Sequence, residues 1–227
     1  MDISTENANL GLGQSKVNRR SMMPFMVMID YGIKGMGVAF NREQADSFWR
    51  PFYLAASLTP EIAQAAPRPL TTTELEGKRP PDIATWVGTW IVRENVKNVI
   101  EELEPGVHAF LQLNAITETS KKDLGVFYAV RIQQVVDAVV VDGTDYREGP
   151  GRKGWEKSDY KGISILGTAA LDPGKLGNQH LWKEHEGFGA MTFCSDVFQE
   201  RIKSIKARGW QFKRCRIGTS EDFANCG

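Results

Sequence analysis

The side chains with the most chemical promise fall in one short stretch, His180, Glu184 and His185, with Cys194 nine residues further on. Imidazole and thiolate are zinc ligands, and a histidine beside a carboxylate can move protons near neutral pH. The spacing serves neither role well. The two histidines stand five residues apart, which is neither one helix face nor an HExxH pair, and Glu184 and Glu186 alternate with them as in a solvated turn. Asp137, Asp142 and Asp145 lack the residue order of a calcium loop and read as turn and strand-end aspartates. No GxSxG elbow is present for a serine nucleophile, and Cys194 has no base at a recognisable spacing. With three histidines in the chain, groups that shuttle protons at neutral pH are scarce. Cys194, Cys215 and Cys226 form no CxxC or CxxH spacing and read as reduced thiols, so neither metal nor cofactor is expected. The GIKGMG run at 32–37 lacks the GK[ST] ending of a phosphate loop and reads as a turn between two strands.

A second kind of chemistry is available between Arg201 and Arg216. Arg201, Lys203, Lys206, Arg208, Lys213, Arg214 and Arg216 occur there without one acidic residue, interleaved with Trp210 and Phe212. Three readings are open: a solvated helix face, a contact for a protein partner, or a nucleic-acid footprint in which the aromatics stack on bases. Overall charge argues against the last, since 28 basic and 28 acidic residues cancel. No apolar run approaches the ~20 residues of a membrane span. The N-terminus opens Met1-Asp2-Ile3-Ser4-Thr5-Glu6 with no basic-then-apolar leader, so a cytoplasmic protein is expected.

The elements that must position these groups show an internal repeat. Thr89–Val92, a helix near 93–104, Gly106 and an alternating strand at 107–116 are matched by Met191–Cys194, a helix near 196–208, Gly209 and a strand at 210–217. Val96, Ile100 and Leu103 fall on Phe198, Ile202 and Ile205 at a constant offset of 102, the stripe of a helix buried on one face. Glu94, Glu101, Glu102 and Glu104 give the first helix the opposite charge bias to the second.

Around these units, Pro24–Ile29 reads as a strand, Arg42–Trp49 as a brief helix, and Thr59-Pro60 as the start of another helix that stops by Pro67. The proline- and threonine-rich stretch 67–81 reads as an exposed connector and a candidate subdomain junction. Strands follow at 124–132 and 135–141, expected to be neighbours. A long polar loop at 143–161 carries Tyr146, Trp155 and Tyr160 among arginines and lysines; loops of this length are usually functional or mobile. Residues 1–21 read as a disordered tail and 218–227 as a frayed end, which leaves 22–217 as a single domain. The expected class is α+β, with mixed or antiparallel sheets, a few short amphipathic helices and two similar strand-helix-strand units.

These segments also carry a family resemblance. Lys78-Arg79-Pro80-Pro81-Asp82, Trp90 to Ile100, Leu103-Glu104-Pro105-Gly106-Val107-His108 with Phe110, Phe127 to Val130, Val136 to Val139, Leu171-Asp172, His180 to Lys183, Cys194-Ser195-Asp196 and Trp210-Gln211-Phe212 resemble the polymorphic-toxin immunity proteins of the eleventh immunity family. Two positions depart from the family pattern: Arg93 stands where a Ser usually begins the first helix, and Trp182-Lys183 where Phe-Arg is usual. The resemblance implies a non-enzymatic cytoplasmic protein that binds and neutralises a cognate secreted toxin, with no nucleic acid or membrane partner; it leaves the oligomeric state open. Interfaces of this kind draw their energy from a few aromatic and arginine anchors. On that basis Tyr146, Trp155 and Tyr160 are the first candidates for toxin contact, and Trp182 with Arg208 and Arg214 the second. The rival readings are a small enzyme acting through His180, Glu184, His185 or Cys194, and a nucleic-acid module using 201–216.

Overall fold

The structure, a computed structural model, describes residues 23–29, 45–49, 51–52, 57–72, 80–86, 89–148, 163–165, 167–184 and 191–224. In the N-terminal half, strand β1 (Phe25–Ile29) precedes a π-helical turn at Ala45–Trp49 and helix α1 (Pro60–Gln64). Thr59 Oγ1 accepts from Ile62 N and Pro60 occupies the first turn, as the start signal predicts. Strands β2 (Leu70–Thr72), β3 (Ile83–Trp86) and β4 (Thr89–Val92), helix α2 (Glu94–Leu103) and strand β5 (Ala109–Thr117) follow. The C-terminal half opens with β6 (Asp123–Arg131), β7 (Val135–Val136), a short 3-10 turn at Val141–Gly143, β8 (Tyr146–Glu148) and β9 (Ile163–Ile165). It continues with β10 (Ala170–Leu171), β11 (Leu181–Glu184), β12 (Thr192–Cys194), α3 (Asp196–Ser204), β13 (Trp210–Arg214), β14 (Arg216–Ile217) and α4 (Ser220–Ala224). The mixed sheets and short helices make this an α+β fold.

The repeat is deeper than two helices. One sheet runs β2-β5-β6-β4-β3 and the other β13-β1-β12-β11-β7. Their registers superpose: Val92↔Tyr128 and Gln112↔Tyr128 in the first sheet correspond to Cys194↔Phe25 and Arg214↔Phe25 in the second. The hairpin pair Ile83↔Val92 corresponds to Leu181↔Cys194. The parallel pair Leu70↔Ala115 corresponds to Leu171↔Ile217, where β14 continues β13 beyond Cys215. Each half is therefore a strand, an insert, a parallel edge strand, a hairpin, a helix and a closing strand. The opening strands are exchanged: β6, which begins the second half, lies between β4 and β5, and β1 lies between β12 and β13.

Three apolar clusters alternate with the two sheets. The central one joins Ile83, Trp90, Val92, Val96 and Ile100 to Phe25, Leu181, Cys194, Phe198 and Ile202, so α2 and α3 share one core with residues of both sheets. On the far side of the first sheet, Phe48, Trp49 and Phe52 from the insert cover Ala84, Ile91 and Leu113. On the far side of the second, Ala138, Val139 and Ala169 cover Trp182, Phe193 and Cys215. Where the first insert brings large aromatics against a small residue, Ala84, the second brings small residues against Trp182 at the equivalent position. Close packing requires that exchange of volume.

Several expectations are corrected. Residues 70–72, read as part of an exposed connector, form β2 with Leu70 and Thr72 buried, because pairing with β5 outweighs the proline-rich flanks. Residues 135–141 hold the two-residue β7, a single bridge from Val139 to Leu171 and the start of a 3-10 turn, and β7 pairs with β11 and not with β6. Residues 220–224, read as frayed, form α4, whose Phe223 ring lies over Gly143 so closely that a Cβ there would sit 2.4 Å from it. The expected turn at 32–37 and the tail at 1–21 lie outside the described residues.

Candidate functional site

A buried polar cluster joins the two halves at the end of α2. Glu104 Oε2 meets His108 Nε2 at 2.7 Å, and Glu104 Oε1 accepts from His180 N at 2.6 Å and Gln134 Nε2 at 2.9 Å. Gln133 N donates to His108 Nδ1 at 3.2 Å, which leaves the ring proton on Nε2, facing the carboxylate. Burial works to raise the Glu104 pKa, but the hydrogen bonds from His108 and the main chain outweigh it, and the group is held below its ordinary range. His180 continues the chain: its Nδ1 lies 2.8 Å from Ser195 Oγ, which accepts from Phe198 N at 3.1 Å and so caps α3.

A Ser-His-Glu set has the right components for acyl transfer, yet its connections are those of a structural lock. Ser195 is fully buried and its lone pairs serve the helix cap, and the carboxylate holds the main chain of His180 rather than its ring. The equivalent lock in the other half has different chemistry: Asp82 Oδ2 accepts from Arg208 N at 2.8 Å. Each hairpin entrance, Asp82 or His180, is thereby tied to the end of the other half's helix. The sequence reading missed Glu104 and His108; the clue was the four-residue step between them just past the helix.

The other enzyme candidates are likewise engaged or buried. Cys194 lies in the central core, where burial first and then Cys215 and Asp196 drive its pKa well above a normal thiol. Cys215 is pushed up to about 12 by burial, so neither sulfur is a thiolate at neutral pH. Glu184 is buried, with Oε2 3.4 Å from Ala138 N. His185 lies outside the described residues. Among the described residues no three His, Cys, Asp or Glu side chains converge as metal donors would. A cleft of about 540 Å³ is lined by Arg68, Pro69, Gln112, Leu113 and Asn114, none of which exchanges protons near neutral pH.

The candidate contact residues separate. Trp182 is fully buried and stacked on Phe193, with ring centroids 6.0 Å apart; the structure therefore removes it from any contact surface, and its position opposite small residues is the reason. Tyr146 is 38% exposed at the base of the β8–β9 hairpin, where it pairs with Ile165. Trp155 and Tyr160 fall between those strands, outside the described residues. Beside the hairpin, Arg216 reaches Gly143 O at 3.1 Å and Asp145 Oδ1 at 3.4 Å, and the exposed Val141, Tyr146 and Ile217 flank these contacts. Arg208 is half-buried and Arg214 exposed on β13.

Residues 21–216 match the family model described as Immunity protein family (Imm11). No curated protein matches the chain. The match takes in both halves, from just before β1 to the start of β14, and so includes the exchanged strands and the Glu104–His180 lock. The chain belongs to the Imm11 immunity protein family.

Proposed function

We propose that residues 22–217 act as one α+β unit that binds a cognate secreted toxin and neutralises it in the cytoplasm by covering its surface, without chemistry of its own. The family match over residues 21–216 is the observation that carries this reading. The state of the ionisable groups supports it: Glu104, His108, His180 and Ser195 are consumed in joining the halves, and the two described thiols are buried and protonated. No described helix is long and apolar enough to cross a membrane. The first contact region is the β8–β9 hairpin with Tyr146, whose exposed ring, together with Val141 and Ile217, offers the aromatic and apolar centre that interfaces favour. Trp155 and Tyr160 belong to the same proposal by their place between the two strands; Arg208 and Arg214 form the second region.

A search of the neighbouring genes for a secreted toxin, and co-expression with the one found, test the reading. Restored growth and a stoichiometric complex of the purified pair are expected. Growth arrest unrelieved by a folded, abundant chain would refute it, as would turnover of a small molecule by the chain alone.

A further inference from the structure

The duplication supplies an internal control for surface charge. At positions equivalent by the offset of 102, with the same strand register although the helix ends differ in backbone (Lys206 φ 52, Glu104 φ -138), the second half carries Lys203, Lys206, Lys213 and Arg214 where the first carries Glu101, Glu104, Leu111 and Gln112. The first half forms the same helix and strand without one of these cations, so the fold does not require them. Helix electrostatics would favour Lys203 and Lys206 at the end of α3. Yet α2 ends among Glu101, Glu102 and Glu104 and is a residue longer. Cations also protect free sheet edges. The matching stretch of β5, Ala109 to Gln112, has none.

All four side chains are exposed, and none forms an ion pair among the described residues. The nearby carboxylates have closer partners: Glu102 pairs with Arg201, Asp82 accepts from the Arg208 main chain, and Asp145 pairs with Arg216 while also feeling the Lys213 charge. Lys203 and Lys206 sit at the helix end, and Lys213 and Arg214, on the two faces of the edge strand β13, lie about 13 Å beyond the turn at ~3.3 Å per residue. We propose that this α3–β13 corner receives an acidic surface of the protein that the chain neutralises. The proposal rests on the toxin-binding reading above and adds the charge and place of the partner's contact.

A nucleic acid would also be drawn to cations, but it needs the interleaved aromatics as stacking platforms. Trp210 and Phe212 are turned into the central core, stacked on one another at 5.9 Å with Trp90 edge-on to Trp210 at 5.0 Å. Both rings are half-buried with their faces taken up by these contacts, so charge dominates what the surface offers. In a chain of zero net charge such a corner steers a complementary protein into register.

The test is titration calorimetry and stopped-flow association with the toxin encoded beside this chain. The variants are the full chain, the quadruple Lys203→Glu/Lys206→Glu/Lys213→Glu/Arg214→Glu, and a control Lys121→Glu/Lys122→Glu in the β5–β6 turn, each first shown to be folded by circular dichroism. Expected are a wild-type association rate that falls as salt rises from about 0.05 to about 0.5 M, a loss of roughly a hundredfold in affinity for the quadruple variant, and little change for the control. Equal affinity in wild type and quadruple variant would overturn the corner while leaving toxin binding intact. Absence of any complex with the wild type would remove both. Salt-sensitive binding of a 20-base-pair duplex DNA probe, lost in the quadruple variant, would overturn the proposal in favour of nucleic acid.

Discussion

Glu104 shows how one residue can decide whether two halves of a chain hold together. Its two oxygens receive three donors, from His108, Gln134 and the His180 main chain, in a site with almost no access to water. Glu104→Gln would turn an amide N–H₂ toward one of those donors, and a cost of about 2–3 kcal/mol is expected for the buried mismatch, read from chemical denaturation. The pH dependence follows from the lowered pKa. The folded state releases the proton more readily than the unfolded chain, so the stabilisation is fully present above the ordinary value of 4.5 and is lost as pH falls through the lower folded value. Unfolding midpoints measured across that acid range should fall steeply for the wild type and less for Glu104→Gln.

Lys183 shows the same sign of pH dependence at the alkaline end, but here the site disfavours the charged form. Burial, and Arg131 beside it, bring its pKa down to about 8 from 10.5. Between those values the unfolded chain binds the proton and the folded one does not, so stability should rise as pH increases from about 8 to about 10.5. Lys183→Met should flatten that rise. A wild-type stability that declines steadily over the window would contradict the assigned environment.

At the scale of elements, the two helices make a paired experiment in capping. Ser195 caps α3 through its hydroxyl, whereas Arg93 makes no side-chain cap bond on α2 and instead places its guanidinium 4.1 Å from the centre of the Phe127 ring. Ser195→Ala should cost about 1–2 kcal/mol, since it removes both the cap and the partner of His180. Arg93→Ser should change stability by less than about 1 kcal/mol, because a gained cap offsets a lost cation–π contact. Thermal melts of the two variants check the asymmetry.

The same comparison shows what was legible in sequence. Helix stripes, glycine stops and alternating strands are local periodicities, and the offset of 102 locates both units from Val96/Phe198 and Ile100/Ile202 alone. β2 was hidden because its stability comes from a partner strand some 45 residues away and its flanks are proline-rich. Trp182 was misplaced on the surface because only the facing Ala138, Val139 and Ala169, brought in from elsewhere in the chain, reveal the space it fills. The exposure of Tyr146 and Arg214 follows from their polar surroundings in the sequence, but the lock formed by Glu104, His108 and His180 depends on a meeting across 76 residues that no local pattern encodes.

At the scale of the whole molecule, reciprocal strand exchange makes each half incomplete alone. β1 supplies the middle of the β12–β13 pair, with Met26 and Phe25 buried in two different clusters, so the second sheet cannot close without residues from the far end of the chain. β6 fills the same place in the first sheet but is joined to β5 by a short turn at 118–122. If the two sheets are truly equivalent, it should not matter which exchanged strand has the local connection. Cys215 N donates to Pro24 O at 3.1 Å, so the start of β1 and the end of β13 already touch. A permutant opened between Ser120 and Lys122, with residues 224 and 23 joined by a flexible linker of about ten residues, converts β13–β1 into the hairpin and leaves β6 as the distant strand. It should fold with the native near-ultraviolet signal of the buried tryptophans and lose no more than about 1–2 kcal/mol, since loop-closure entropy changes only logarithmically with length. The same permutant lacking residues 23–29 should lose the signal of Trp182 and Trp210, because among the described strands β1 alone occupies the gap between β12 and β13. A permutant that collapses without ordered tryptophans would show that the β5–β6 turn must form first, and that the halves are alike in structure but unequal in folding.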